Sequence, residues 1–171
     1  MIRTLLASVI SITITSGQAL AHGDGKDERK VAKRISADEQ AFGREGDPKK
    51  VSRTVKIDMS DKLRFSPAIL TVKPGETVKF VVKNSGKLSH EMVLGTMQEL
   101  KQHAEAMKKH PTMEHDEPYM AHVAPGKTET MAWQFTKPGE FYYGCLVPGH
   151  FEAGMVGKIT VAPRTTKGDK R

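Results

Sequence analysis

Three side chains near the carboxy-terminal end fall at intervals that suit a metal. Cys145 offers a thiolate, His150 an imidazole nitrogen and Met155 a thioether, each separated from the next by four residues. Leu146-Val147-Pro148-Gly149 and Phe151-Glu152-Ala153-Gly154 fill the intervals, so a strand delivers the cysteine and a turning loop offers the other two. Two imidazoles and a thiolate with a long axial thioether form the ligand arrangement of mononuclear electron-transfer copper. That set needs one more imidazole. His90, beside a strand and just after the Asn84-Ser85-Gly86 turn, is the natural supplier. Zinc also accepts Cys and His, but its structural sites take four strong ligands and rarely a thioether. Copper alternates between an ion that favours soft sulfur and one that favours imidazole, which a mixed set serves in both states.

Singly, these residues say less. Cys145 is the one cysteine of the chain, so it forms no disulfide within it. It is open to a partner chain, to nucleophilic chemistry, to plain burial or to a metal. His90 alone reads as an ordinary histidine, and Met155 alone as core. Gly149, Gly154 and Gly157 fit tight turns under any of these readings.

The elements that must position these groups are short strands. Val55 and Ile57 alternate with polar neighbours, and Ile69 to Val72 forms a second strand closed by Pro74-Gly75. Val78, Phe80 and Val82 precede the Asn84-Ser85-Gly86 turn, and His90 to Leu94 follows it. Pro125-Gly126 introduces a strand with Met131, Trp133 and Phe135 on one face. Pro138-Gly139 introduces Glu140 to Cys145, and Lys158 to Val161 closes the domain. Strands punctuated by such turns predict an all-β antiparallel sandwich. Thr96 to Lys109 departs from the pattern: Leu100, Ala104 and Met107 recur at helical spacing and Pro111 lies just beyond.

The Cys145–His150–Met155 segment resembles the ligand loop of the cupredoxins, the plastocyanin and azurin superfamily, and its spacing is similar to that of rusticyanin. The resemblance runs from about Val51 to Val161 and keeps the family's order, an upstream histidine before a Cys-His-Met trio. It implies a Greek-key β-sandwich with one type 1 copper at one end. His90 and His150 would be the imidazole ligands, Cys145 the thiolate and Met155 the axial thioether. Ser89-His90-Glu91-Met92 and the His/Met-rich insertion look most like the periplasmic copper-tolerance branch. One departure stands out. Several cupredoxins place Asn or Ser after the first histidine ligand, where it ties the two ligand segments together; this chain has Glu91, whose carboxylate only accepts hydrogen bonds.

Between His90 and His122 lie five of the seven histidines and five of the nine methionines. Met97, His103, Met107, His110, Met113, His115, Met120 and His122 are the candidates for a second, cuprous site, with His103, Met107 and His110 on one side of the helix. The competing reading packs Met97, Leu100, Ala104 and Met107 onto the sandwich. His22, as a new amino terminus, is a further weak chelator.

The formal charge of +7 invites a nucleic-acid reading, but the excess sits at the ends. Residues 22–53 carry nine basic and seven acidic groups, and residues 164–171 carry four and one. Arg3, the apolar run from Leu5 to Ile14 and Ala19-Leu20-Ala21 read as a cleavable export signal, giving a signal over 1–21 and a periplasmic home. A mobile polar lead over 22–50, with a short helix near Lys30 to Phe42, a cupredoxin domain over 51–163 and a basic tail over 164–171 complete the expected organisation. No transmembrane segment is expected after the signal is removed. The expected function is a periplasmic one-electron carrier serving copper tolerance, with a redox partner protein meeting an apolar patch of Leu146, Val147, Pro148 and Phe151 beside His150. The rivals are a respiratory electron carrier and a copper storage or delivery module. No enzyme activity is expected beyond slow cuprous-ion oxidation, because the paired His-x-His patterns of multicopper enzymes are missing.

Overall fold

The computed structural model describes residues 35–111 and 116–163. Its strands are β1 (Glu39–Gln40), β2 (Gly43–Glu45), β3 (Arg53–Ser60), β4 (Arg64–Ser66), β5 (Ile69–Val72), β6 (Thr77–Asn84), β7 (His90–Gly95), β8 (Met120–Val123), β9 (Thr128–Gln134), β10 (Gly139–Gly144) and β11 (Val156–Val161). One helix, α1 (Met97–Lys109), joins β7 to β8. The first sheet runs β1-β2-β9-β6-β3-β4 and the second β5-β11-β10-β7-β8. Two pairs are parallel, β3 with β6 and β5 with β11; the others are antiparallel. The chain crosses repeatedly between the two sheets, so strands distant in sequence become neighbours and the pattern is that of a β-sandwich.

Alternation decides which residues enter the core. Val78, Phe80 and Val82 of β6 point inward while Lys79 and Lys83 face out. Met131 and Trp133 of β9, with Phe135 just beyond it, line the same interior against Tyr143, Ile159 and Val161 of the other sheet. Each such side chain contributes about 1.5–3 kcal/mol on burial. Gly157 is fixed by this packing: a Cβ there would lie 2.1 Å from the Tyr143 ring.

Strand β7 is buried along its whole length because both of its faces are covered. Met92 and Leu94 belong to the interior between the sheets, and Val93 belongs to a second apolar cluster outside. That outer cluster holds Leu100, Ala104 and Met107 from α1, together with Met120 and Leu146. The helix starts where Thr96 and Glu99 cap each other, the Thr96 side chain accepting from the Glu99 amide and Glu99 accepting from the Thr96 amide. Lys108 and Lys109 in its last turn suit the negative end of the helix dipole.

The helix expected near Lys30 to Phe42 does not form in its described part. Residues 39–45 make the β1–β2 hairpin instead, and β2 pairs with β9. Phe42 between them is buried, stacks on Trp133 at 5.1 Å and accepts a hydrogen bond from the Trp133 indole through its carbonyl. Tertiary packing on one aromatic anchor overrides the weak local pattern. Among the described residues no helix is long and apolar enough to cross a membrane.

Candidate metal centre

His90 opens β7 and is all but fully buried. The turn that feeds it is braced by Asn84, which is completely buried yet fully bonded. Its amide donates to the carbonyls of Leu88 (2.8 Å) and Val123 (2.9 Å), and its carbonyl oxygen accepts from the Gly86 amide (2.9 Å). Asp61, in the β3–β4 turn, caps the same segment from outside. It accepts from the backbone amides of Lys87 (2.8 Å) and Leu88 (3.1 Å), which hold its carboxyl below the ordinary carboxylate range. Its Oδ1 stands 3.4 Å from His90 Nε2.

Cys145 follows directly on β10, and the loop to β11 closes on itself through the main chain. The Cys145 amide donates to the Met155 carbonyl, the Met155 amide to the His150 carbonyl and the His150 amide to the Val147 carbonyl. Gly149 and Gly154 turn the loop with positive φ, 88° and 87°. Outside contacts hold it as well: Arg64 donates to the Ala153 carbonyl (2.8 Å), and Lys108 of α1 pairs with Glu152 (2.7 Å).

These two supports bring His90, Cys145 and His150 together, with their ligand atoms within 4.8 Å of one another. Cys145 Sγ lies 3.3 Å from His150 Nδ1 and 3.9 Å from His90 Nδ1, and the two Nδ1 atoms are 3.3 Å apart. Among the described residues no other group of three His, Cys, Asp or Glu side chains is arranged this way. Met155 is completely buried in the same interior cluster as Cys145, its main chain bonded to both Cys145 and His150.

Burial pushes the Cys145 thiol up to about 11, against the pull of the Glu91 and Val147 backbone amides that point at its sulfur. A neutral thiol beside two ring nitrogens ionises when a metal takes the proton's place. Burial, then the His90 charge, lowers the His150 pKa, so the His150 ring favours the neutral form that offers a lone pair. The donor set of one thiol and two imidazoles fits copper.

Glu91 answers the departure noted in the sequence. Its backbone amide points at the Cys145 sulfur, and its buried carboxylate accepts from the Leu146 amide (3.0 Å). Its other oxygen meets His122 Nδ1 at 2.9 Å, across the β7–β8 register. The two ligand segments are therefore tied together, with the carboxylate accepting from the main chain.

Six of the eight residues proposed for the second site are among the described residues. Met107 and Met120 are committed to the apolar cluster beneath α1, with Met97 half-buried at the start of the helix. His103 is half-buried on the helix near Tyr119, His110 is exposed at the helix end, and His122 sits on Glu91. Met113 and His115 lie outside the described residues, as do His22 and the signal segment. The apolar patch also needs a correction. Leu146 is buried against α1, because it alternates to the outer face next to Val93, which leaves Val147, Pro148 and Phe151 at the loop surface. His150 is the more exposed of the two rings. Sequence reasoning missed Asn84 and Asp61; an Asn opening a turn four residues before Leu88 was the only signal available for the first.

A sequence model described as copper binding proteins of the plastocyanin/azurin family matches residues 51–162. The chain is 47% identical over 160 residues to the copper-resistant cuproprotein CopI of Rubrivivax gelatinosus, covering 94% of this chain and 96% of that protein. It is 36% identical to the CopI of Pseudomonas aeruginosa, over 72% of this chain and 84% of that one. The fold is similar to that of the reduced auracyanin of Roseiflexus castenholzii, with a TM-score of 0.57 at 23% identity, covering 66% of this chain and 99% of that one.

Proposed function

This chain belongs to the plastocyanin/azurin family of copper-binding proteins, and from that premise we propose an exported, periplasmic protein that serves copper tolerance and carries single electrons. His90, Cys145, His150 and Met155 are its proposed copper ligands. The observation that carries the reading is the meeting of two Nδ1 atoms and one thiol sulfur within 4.8 Å. Bound copper supplies a one-electron couple. The chain's own groups do the rest: Glu91 and Val147 aim backbone amides at the sulfur, and the self-bonded loop limits how far the ligands move between oxidation states. His150, the more exposed ring, is the proposed exit for the electron toward a partner protein at Val147, Pro148 and Phe151.

The tolerance role draws on the relatives whose names carry copper resistance and whose length this chain spans. Export draws on Arg3, the apolar run and Ala19-Leu20-Ala21. We assign no enzyme activity. The purified copper-loaded protein should hold one copper per chain and show a thiolate-to-copper band that Cys145→Ser removes. A band that survives the substitution overturns the ligand set. Cells lacking the protein should grow poorly in excess copper with and without oxygen; normal growth in both would overturn the tolerance role and favour a respiratory carrier.

A further inference from the structure

Asp61 stands in a relation to His90 that its place in the chain does not announce. It lies 29 residues upstream, in a turn of the other sheet, yet its Oδ1 is 3.4 Å from His90 Nε2. The carboxylate is held there by construction. Lys87 donates its amide to both oxygens, at 3.0 and 2.8 Å, and Leu88 adds a third bond at 3.1 Å. Gly86 leaves room for it: a Cβ at that position would sit 2.1 Å from Asp61 Oδ1. The His90 ring has no freedom to turn away, because its side chain is completely covered while that of Asp61 is 39% exposed.

A carboxylate only accepts, so the ring nitrogen facing it is the one that carries the proton. Nε2–H toward Asp61 leaves Nδ1 as the lone pair, and Nδ1 is the atom that faces Cys145 Sγ and His150 Nδ1. A full negative charge behind the ring also makes it a stronger donor, and a stronger nitrogen donor favours the more highly charged copper ion. We propose that Asp61 is a positioning residue for copper: it fixes the tautomer of His90 and biases the site toward the cupric state. This inference rests on the reading of His90, Cys145 and His150 as copper ligands.

The test is the reduction potential of the copper-loaded protein and of Asp61→Asn, which keeps the size and an acceptor oxygen but removes the charge. The ratio of cupric to cuprous affinity should fall about tenfold, a rise of about 59 mV for one electron. Asp58→Asn is the control, since Asp58, on β3, accepts from Ser85 Oγ rather than facing His90. An unchanged potential in Asp61→Asn, or an equal rise in Asp58→Asn, overturns the proposal. The wild-type cuprous protein supplies a second measurement should Asp61→Asn not fold. Its His90 ring should show a slowly exchanging Nε2 proton by nuclear magnetic resonance, and a ring protonated on Nδ1 or lacking that proton overturns it equally. Loss of the thiolate-to-copper band in the wild type would sink the copper reading itself; a normal band with an unmoved potential would sink this inference alone.

Discussion

Between pH 9 and pH 11 the copper-free protein should lose stability as the pH passes the range of the Cys145 thiol. Burial raises it from 9.0 to about 11 in the folded chain, and the Glu91 charge adds to the rise against two backbone amides. A group whose folded value is raised contributes fully below its unfolded value and loses that contribution as pH climbs through the folded one. That difference corresponds to about 3 kcal/mol, lost progressively across that window. Tyr143, held up by burial and hydrogen-bonded to the Pro67 carbonyl at 2.6 Å, pushes in the same direction. The comparison is therefore between wild type and Cys145→Ser, which share every other titration. Denaturant midpoints measured under reductant and chelator at pH 8, 9, 10 and 11 should diverge by about 2–3 kcal/mol, with the wild type falling faster. Parallel curves would refute the idea that burial keeps this thiol neutral.

Asn84→Ala removes three internal hydrogen bonds and strands their backbone partners, so it should cost about 2–4 kcal/mol in chemical denaturation; a loss below 1 would mean the turn before His90 has other support. Gly157→Ala forces a methyl onto the Tyr143 ring and should cost about 1–3 kcal/mol, with an unchanged midpoint refuting the close packing of β10 on β11. Glu91→Ala leaves the Leu146 amide buried without its acceptor, at about 1–3 kcal/mol, whereas Glu91→Gln keeps an acceptor and should stay within about 1. Hydrogen exchange at Leu146 reads the difference directly: it should speed up in the alanine variant alone.

The sequence revealed what depended on local order. The alternation of β6 and β9 was strong enough to define both strands, and Leu100, Ala104 and Met107 marked the buried face of α1. The Cys-His-Met intervals were legible because Cys145, His150 and Met155 share one short loop that closes on itself. What failed depended on distant partners. The β1–β2 hairpin carries Phe42 as its one large apolar residue, and partners far along the chain, Tyr119, Trp133 and Phe141, explain its burial. Asn84 reads as a turn former, but one of its bonds reaches Val123, 39 residues on. Leu146 looked like a surface contact until α1 was seen to cover it.

Strand β7, sealed between the inter-sheet core and α1, sets up an asymmetry between the two imidazoles. One opens that strand and is itself all but fully buried. The other is carried on the eleven-residue bridge between β10 and β11, Cys145 to Met155, whose ends already meet, the Cys145 amide on the Met155 carbonyl. Exchanging that bridge for one of another length would change the second imidazole and the thioether while leaving the first where it is. Retuning by evolution or by design has its least disruptive route there, because the splice points are bonded to each other and the scaffold behind them does not have to move.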